Sequence, residues 1–371
     1  MIFLDHNATT PMDGRVIAAM EPFLGKFFGN PSSLYRLGRI SRSAIDTARG
    51  QVAALAGTDP ARVVFTSGGT EANNLAIKGM AGKLPMGTIA IGATEHPSVL
   101  APAEHLRKQG WNVRTLAVDS NGVLLRQNLQ ALPWADLRFA SVMLANNETG
   151  VIQEVSAFAE HIRSQGAYLH CDAVQATGKI PLVFDSLGAH LLSFSSHKIH
   201  GPKGAGALVI DKSIDVEPLL EGGGQESNLR SGTENVAAIV GFGKACELAL
   251  AELESRATHC LTLRQQLESG LAHMRGVTVF AENAPRLSNT VQFGLNGIDG
   301  EALVMLLDRK GFAVSSGSAC ASGAGEPSPV LLAMGVDADT AKSAIRVSLG
   351  KDNSETDIIA FLVALQTILR I

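Results

Sequence analysis

The sequence has few cysteines, and none of them are paired at close spacing. Its 371 residues include four cysteines, and no two of them form a CxxC pair. This spacing excludes the common zinc and redox motifs, so we expect no bound metal and reduced thiols in a cytoplasmic protein. The four are Cys171, Cys246, Cys260 and Cys320.

Long apolar runs and blocks of one charge are also missing. No run reaches 18 apolar residues, so no membrane-spanning helix is predicted. The opening stretch, MIFLDHNATTP, meets Asp5 without a basic segment, which argues against a signal peptide. The 31 basic and 35 acidic residues nearly balance, so no direct nucleic-acid binding is expected. The GxSxG elbow of serine hydrolases is absent too.

Glycine is the residue in excess. The chain has 38 glycines, which is about a tenth of its residues against an average near 7%. They follow no fixed period, which excludes collagen-like and solenoid structures. They cluster instead, and clustered glycine indicates backbone held close to a ligand. The clusters lie at 68–69, 201–206, 222–224 and 317–325.

Short apolar or β-branched runs alternate with helical patterns over the first two thirds of the chain. Such alternation predicts βαβ units and a mostly parallel sheet with helices on both faces. The predicted strands are 63–66, 88–93, 140–145, 167–172, 191–196 and 206–210. The predicted helices among them are 41–56, 71–82, 98–109 and 155–165.

The last third shows a different, shorter pattern. Residues 235–274 are helix-compatible and contain no proline, which predicts a long helix able to join two domains. Alternating strands and helices follow, and the last helix begins at Ser354 with Asp357 three residues on, a variant of the capping box. We predict a large domain of residues 13–260 and a small domain of residues 1–12 and 261–371.

The first candidate site is TSGGTEANNLAIKGM, residues 66–80. A strand ends there, two glycines turn the chain and a helix begins near Thr70. Exposed N–H groups and the helix dipole at such a start favour a phosphate. An ordinary strand-to-helix turn with a threonine cap explains the segment equally well on its own. Neither GxxxxGK nor GxGxxG occurs there, which excludes the usual nucleotide loops.

Two further candidates follow predicted strands. Asp172 ends the strand in LHCDAVQATGK, at the position where open α/β sheets bind ligands. Lys198 follows the strand in LLSFSSHKIHGPKGAGALVI, where desolvation can make an amine nucleophilic. Each of them, taken singly, is better explained as a solvated loop residue.

Together the three features match the needs of pyridoxal phosphate. A lysine forms a Schiff base with this cofactor, an aspartate keeps its pyridine nitrogen protonated and a backbone cradle fixes its phosphate. The sequence supplies these features in the order cradle, Asp172, Lys198.

The sequence resembles the cysteine desulfurases of the class V aminotransferase family, within the fold-type I pyridoxal-phosphate enzymes. The resemblance runs almost from end to end. It implies an α/β fold with a mostly parallel central sheet, a smaller α/β C-terminal domain and a homodimer. The motifs that carry it are LDHNATTP at the start, GNPSS (29–33), FTSGGTEANNLAIKG (65–79), TEHPSVL (94–100), NNETGVIQ (146–153), HCDAVQATGK, SSHKIHGPKGAGAL, GGGQESNLRSGTEN (222–235) and SSGSACAS (315–322).

This resemblance implies a role for each matching position. Lys198 would carry the Schiff base and move the substrate's Cα proton, and His96 would stack on the cofactor ring and assist proton transfer. Asn147 and Arg346 would bind the substrate carboxylate, Arg346 as a bidentate fork, and Asn147 would also contact the cofactor. The remaining cofactor positions are Gly69, Thr70, Ser195, His197 and, from the partner subunit, Thr233 for the phosphate, with Asp172 for the pyridine nitrogen and Gln175 for the phenolic oxygen.

Cys320 decides the function that the resemblance implies. A lone cysteine is by default a small buried hydrophobe, and Cys171, Cys246 and Cys260 fit that description. Cys320 instead lies among small, turn-forming residues in SSGSACASGAGEPSP. Its thiolate would attack the sulfur of L-cysteine, release L-alanine and hold the sulfur as a persulfide for an acceptor.

Other functional hypotheses are also compatible with the sequence at this point. A selenocysteine lyase, or another lyase or aminotransferase of the same family, would use the same cofactor positions, although a plain aminotransferase has no need of Cys320. A sulfur-relay scaffold without cofactor chemistry conflicts with the intact cofactor positions.

Three features are set against the family pattern, and the last of them bears on partners. Residues 318–335 resemble the longer, mobile type of cysteine loop. His200 and Ser227 stand where the family often has tyrosine and arginine. Members that serve the iron–sulfur scaffold usually continue past the final helix, whereas this sequence stops at Ile371. The acceptor is therefore left open among an iron–sulfur scaffold and tRNA-thiolation, cofactor or DNA-sulfur pathways.

Overall fold

The computed structural model describes residues 1–295, 297–317 and 325–369. Its helices are Gly14–Leu24 (α1), Arg36–Ala56 (α2), Gly69–Lys83 (α3), Pro97–Lys108 (α4), Asn128–Ala131 (α5), Val155–Ser164 (α6), Phe184–Leu187 (α7), Val236–Ala251 (α8), Leu253–Ala272 (α9), Gly300–Arg309 (α10), Pro329–Ala333 (α11), Ala338–Lys342 (α12) and Glu355–Leu369 (α13). Among the helices of these ranges, none has the length and apolar character needed to cross a membrane.

The strands form a large central sheet and two smaller ones. They are Ile2–Phe3 (β1), Val63–Thr66 (β2), Thr88–Gly92 (β3), Asn112–Leu116 (β4), Leu137–Met143 (β5), Tyr168–Asp172 (β6), Leu191–Ser195 (β7), Gly206–Ile210 (β8), Val277–Val279 (β9), Thr290–Leu295 (β10), Phe312–Ala313 (β11), Ser315–Ser316 (β12) and Ile345–Ser348 (β13).

Within the described residues, the large sheet has seven strands in the order β2-β8-β7-β6-β5-β3-β4. Its neighbouring strands are parallel except β8, which is antiparallel to both β2 and β7. Strands β2, β3, β7 and β8 are buried along their whole length, as expected for a sheet with helices on both faces. The α/β fold predicted from the sequence is confirmed.

The register of this sheet brings strand ends together. Met143 at the end of β5 pairs with Asp172 at the end of β6, and Asp172 pairs with Ser193 on β7. Two residues further along β7, Ser195 pairs with Gly206 of β8. The carboxyl ends of β5, β6 and β7 therefore form one edge, where open α/β sheets bind their ligands.

A second core lies around the antiparallel sheet β12-β13-β10-β9 in the C-terminal part of the described chain. Helices α9, α10 and α13 supply much of its apolar side. The start of the chain joins this core, because β1 pairs with β11 and Leu4 is fully buried there. The predicted capping box of the last helix is present: Ser354 N–H donates to Asp357 Oδ2 at 2.9 Å, and Asp357 N–H donates to Ser354 Oγ at 3.3 Å.

Two details differ from the sequence prediction. The single long helix expected over 235–274 is two helices, α8 and α9, which meet at Glu252. Glu252 accepts hydrogen bonds from Arg256 and from Arg15 of α1, so tertiary contacts hold this junction. Strand β4 was not predicted, because it is an edge strand with mostly exposed residues and no continuous apolar run.

His170, in the middle of β6, makes the stability of the large sheet depend on pH. It is fully buried, and its Nδ1 and Nε2 each lie 2.8 Å from a serine hydroxyl, of Ser141 and Ser193. Burial lowers the pKa of His170 to about 3. Below pH 6.5 the unfolded chain therefore gains a proton at this site that the folded chain does not.

We predict that His170→Gln flattens the pH dependence of stability. The native free energy of unfolding should fall as pH drops from 6.5 toward 4, with His170 contributing up to about 1.4 kcal/mol per pH unit. The other buried histidines act with the same sign, so the difference between the two proteins isolates His170. Urea denaturation at a series of pH values measures it, and equal slopes would contradict the prediction.

Candidate active site

A cavity of about 300 Å³ opens at the carboxyl edge of the central sheet. Asn7 and Arg346, from the start of the chain and from the second core, complete its wall. The structure brings most of the sequence-predicted site residues to this one cavity. They are Gly69, Thr70, His96, Asn147, Asp172, Gln175, Ser195, His197, Lys198 and Arg346.

Two predicted residues are not in this group. Thr233 is exposed and is not among the residues that line the cavity. Cys320 lies outside the described residues, as does the start of the 318–335 segment expected to be mobile. The three other cysteines are free and buried, as predicted.

One end of the cavity is formed by the start of α3 and the end of β7. Gly69 and Thr70 open the helix, so their N–H groups have no partner within it. Ser195 Oγ is buried and has no hydrogen-bond partner among the described residues. Close packing fixes this corner, because a Cβ on Gly206 of β8 would come within 2.6 Å of the Gly68 backbone.

His197 borders the same end. Its Nδ1 lies 3.2 Å from the Thr9 hydroxyl. Burial, followed by the charge of Lys198, lowers the pKa of His197 to about 4. The ring is therefore neutral at neutral pH and can donate one hydrogen bond without bringing a charge.

Asp172 is held by two N–H donors at the end of β6. Asn73 Nδ2 donates to its Oδ2 at 2.7 Å, and the Val174 N–H donates to its Oδ1 at 2.9 Å. Asp172 is 4% exposed. Sequence reasoning missed Asn73, although a buried asparagine inside an otherwise apolar helix face is a signal for it.

His96 lies at the start of α4 and caps that helix. The Ser98 N–H donates to His96 Nδ1 at 3.1 Å, and the Ser98 hydroxyl lies 2.7 Å from the same nitrogen. Burial lowers the pKa of His96, while Asp172 raises it and Lys198 lowers it further. The ring is thus neutral at neutral pH, and the accepting role of Nδ1 places its proton on Nε2.

The Lys198 amine is held by the start of the chain. It donates to the carbonyl oxygen of Asn7 in a short hydrogen bond and to that of Ala8 at 2.8 Å. Gln175 Nε2 donates to the same Asn7 carbonyl at 2.9 Å. The backbone of residues 7 and 8 therefore fixes both side chains.

The Asn7 side chain is itself fully bonded. Its Nδ2 donates to Thr290 Oγ1 at 2.9 Å and to the Asn147 carbonyl at 3.1 Å. Its Oδ1 accepts from Lys179 Nζ at 3.0 Å and from Asn289 Nδ2 at 3.1 Å. Asn7 thus links both cores at the cavity, a role that sequence reasoning missed because none of these partners is near it in sequence.

Arg346 of β13 contributes a buried cation to the cavity wall. Its side chain is 3% exposed. Nη2 donates to Asp5 Oδ1 at 2.7 Å, and Nη1 donates to the Asn147 carbonyl at 3.0 Å. These contacts orient a buried guanidinium beside Asn147, an arrangement suited to binding a carboxylate.

Comparison with known proteins agrees with this site. Residues 2–361 match the model of the aminotransferase class-V family. The chain is 40% identical to "Cysteine desulfurase IscS" of Dictyoglomus turgidum over 99% of this chain and 94% of that protein. A solved "NIFS-LIKE PROTEIN" superposes with a TM-score of 0.94 at 38% identity, covering 100% of this chain and 99% of the other.

A second solved structure, described as "SspA in complex with cysteine", has a TM-score of 0.84 at 29% identity. It covers 94% of this chain and 99% of its own. Together, fold and site define an α/β enzyme of the fold-type I class. The chain belongs to the class-V aminotransferase family, within its cysteine desulfurase group.

We predict that Asn7→Ala destabilises the protein strongly, because it leaves several buried polar groups without their partner at once. The free energy of unfolding should fall by about 2–4 kcal/mol. Denaturant titration measures the change. Asn74→Ala is the matched control, since Asn74 makes one exposed bond to Thr70 within its own helix. Equal stability of both variants would contradict the linking role of Asn7.

Proposed function

We propose that this chain is a pyridoxal-phosphate-dependent cysteine desulfurase that converts L-cysteine to L-alanine and passes the sulfur to Cys320. One observation carries the proposal. The cavity brings together an amine, Lys198, a fixed carboxylate, Asp172, and a buried guanidinium, Arg346. Relatives of similar length carry the name cysteine desulfurase.

The residues of the cavity fit the cofactor. The unpartnered Ser195 hydroxyl and the N–H groups of Gly69 and Thr70 offer donors for a phosphate at one end. Asp172 offers a fixed carboxylate for a pyridine N–H, and Gln175 offers an amide for the phenolic oxygen. Bound there, pyridoxal phosphate would supply an electron sink for negative charge at the substrate Cα.

The other end of the cavity fits the substrate. Arg346 and Asn147 would bind the carboxylate of L-cysteine and so direct its Cα–H bond toward Lys198. The Lys198 amine, released from the carbonyl oxygens of residues 7 and 8, would accept the Cα proton. The neutral ring of His96, with its proton on Nε2, would donate a hydrogen bond into the cavity.

The sulfur step belongs to Cys320. Its thiolate would attack the substrate sulfur and form an S–S bond, while the bond between that sulfur and the substrate Cβ breaks. The electron pair of the broken bond stays with the substrate carbon skeleton and Cβ takes up a proton, so L-cysteine and the Cys320 thiol yield L-alanine and a Cys320 persulfide. The outer sulfur then passes to a thiol of an acceptor protein.

We also propose a homodimer in which Thr233 reaches the phosphate end of the partner's cavity. Its exposure and its place outside the cavity of its own protomer support this assignment. Exposed apolar side chains near the start of the chain, among them Leu24, Phe28 and Leu34, offer a surface for such contact. The free buried thiols support a reducing compartment such as the cytoplasm, where a persulfide acceptor would be found.

We predict that Cys320→Ala keeps the visible absorption of the bound cofactor but stops alanine and persulfide formation from L-cysteine. The reason is that this substitution leaves every cofactor residue of the cavity in place and removes the thiol that attacks the substrate sulfur. Amino-acid analysis and a sulfide assay with added thiol measure the loss. Cys246→Ala, at a buried cysteine of α8, is the control. Full turnover by the Cys320 variant would favour another lyase or an aminotransferase.

We predict that Arg346→Lys weakens substrate binding, because a lysine keeps the charge but loses the two-pronged contact. kcat/KM for L-cysteine should fall about 10- to 100-fold, mainly through KM. Steady-state kinetics measure this change. Arg126→Lys, at an exposed pair with Glu154, serves as the control. An unchanged KM would show that the carboxylate binds elsewhere.

A further inference from the structure

Glu148 is a buried acid beside the active-site cavity to which the mechanism above gives no role. It follows Asn147 directly in the turn after β5 and is 7% exposed. Its Oε2 accepts a hydrogen bond from Ser328 Oγ at 2.5 Å and another from Gln292 Nε2 at 3.2 Å. Both partners lie more than 140 positions further along the chain.

Ser328 is fixed in direction by these contacts. Its Oγ accepts the Leu331 N–H at 3.1 Å and thereby caps α11, so its hydroxyl proton is left to point at Glu148. Capping of α11 alone does not require a buried acid as the hydrogen-bond partner of the Ser328 hydroxyl. The start of α11, which follows the segment containing Cys320, is therefore tied to Glu148.

The chain on the other side of that segment reaches the same place. The Gly317 N–H donates to the Ala344 carbonyl at 2.9 Å. A Cβ added to Gly317 would lie 3.2 Å from Gln292 Nε2 and 3.4 Å from the Ser328 Cβ. Gly317, Gln292 and Ser328 thus pack together, and Glu148 bonds to two of the three.

Among the described residues, Glu148 forms no ion pair at contact distance. Arg346 attracts it, but the hydrogen bonds of Arg346 go to Asp5 and to the Asn147 carbonyl. Burial raises the pKa of Glu148 to about 7. Burying an acid without an ion pair costs free energy, so its two bonds are better explained by what they hold in place.

We propose that Glu148 is a positioning residue that clamps together Gly317 and Ser328, the two ends between which Cys320 lies, and so sets the rate of the sulfur step. This inference rests on the proposed function. Steps that do not involve Cys320, namely cofactor loading and binding of the substrate carboxylate, do not depend on this clamp.

The test separates those steps in Glu148→Ala. L-Alanine carries the same carboxylate as L-cysteine but no sulfur, so its binding reports on the cavity without the Cys320 step. We expect kcat for alanine formation from L-cysteine to fall about tenfold or more. The cofactor absorption and the Kd for L-alanine, titrated by absorbance, should stay within about twofold of the native values. Glu154→Ala, at an exposed glutamate paired with Arg126, is the matched control.

A milder variant, Ser328→Ala, guards against misfolding because it removes only the hydroxyl. It should also lower kcat. The double variant should have a kcat no lower than that of Glu148→Ala, since both substitutions remove the same Ser328–Glu148 hydrogen bond. Three results would each overturn the clamp. They are an unchanged kcat in Glu148→Ala, additive losses of kcat in the double variant, and binding of L-alanine that weakens as much as kcat falls. Weaker binding of L-alanine would instead indicate that Glu148 positions Arg346. Full turnover by Cys320→Ala is a separate result, which would overturn the proposed function itself.

Discussion

The site depends on the hold that the first residues of the chain exert on the Lys198 amine. Backbone carbonyls of residues 7 and 8 receive that amine, and the Asn7 side chain bonds to groups of both cores. A backbone carbonyl is a neutral acceptor whose position is set by the chain on either side. The two carbonyls therefore set the direction of the amine in the cavity.

Hydrogen bonds also orient the other charged side chains of the cavity. Asp172 is held by an amide and a backbone N–H. Arg346 is oriented by Asp5 and a carbonyl, with the face toward the cavity still able to take a carboxylate. His96 and His197 are kept neutral by burial. A carboxylate and a guanidinium held in fixed directions thus line the same cavity as the Lys198 amine, which favours a bound molecule that carries both signs.

The parts of the site that follow strands could be predicted from the sequence. Asp172, Ser195 and Lys198 come directly after apolar runs, and the carboxyl ends of parallel strands share one edge. The supporting residues Asn7 and Ser98 could not, since no local pattern separates a polar side chain that bonds across the fold from one that faces water. The break between α8 and α9 was missed for a similar reason, because distant arginines meet Glu252 there.

By itself, the sequence determined the α/β class, the order of phosphate cradle, aspartate and lysine, and the presence of an unusual cysteine at position 320. These follow from local periodicity and from residue types whose chemistry is the same wherever they lie. Only the tertiary structure decided that Arg346 is a buried cation beside Asn147, that Asn7 joins both cores and that Glu148 meets Gln292 and Ser328. Each of these contacts joins residues more than 140 positions apart. Their geometry is fixed by how the two sheets pack, which no short stretch of sequence encodes.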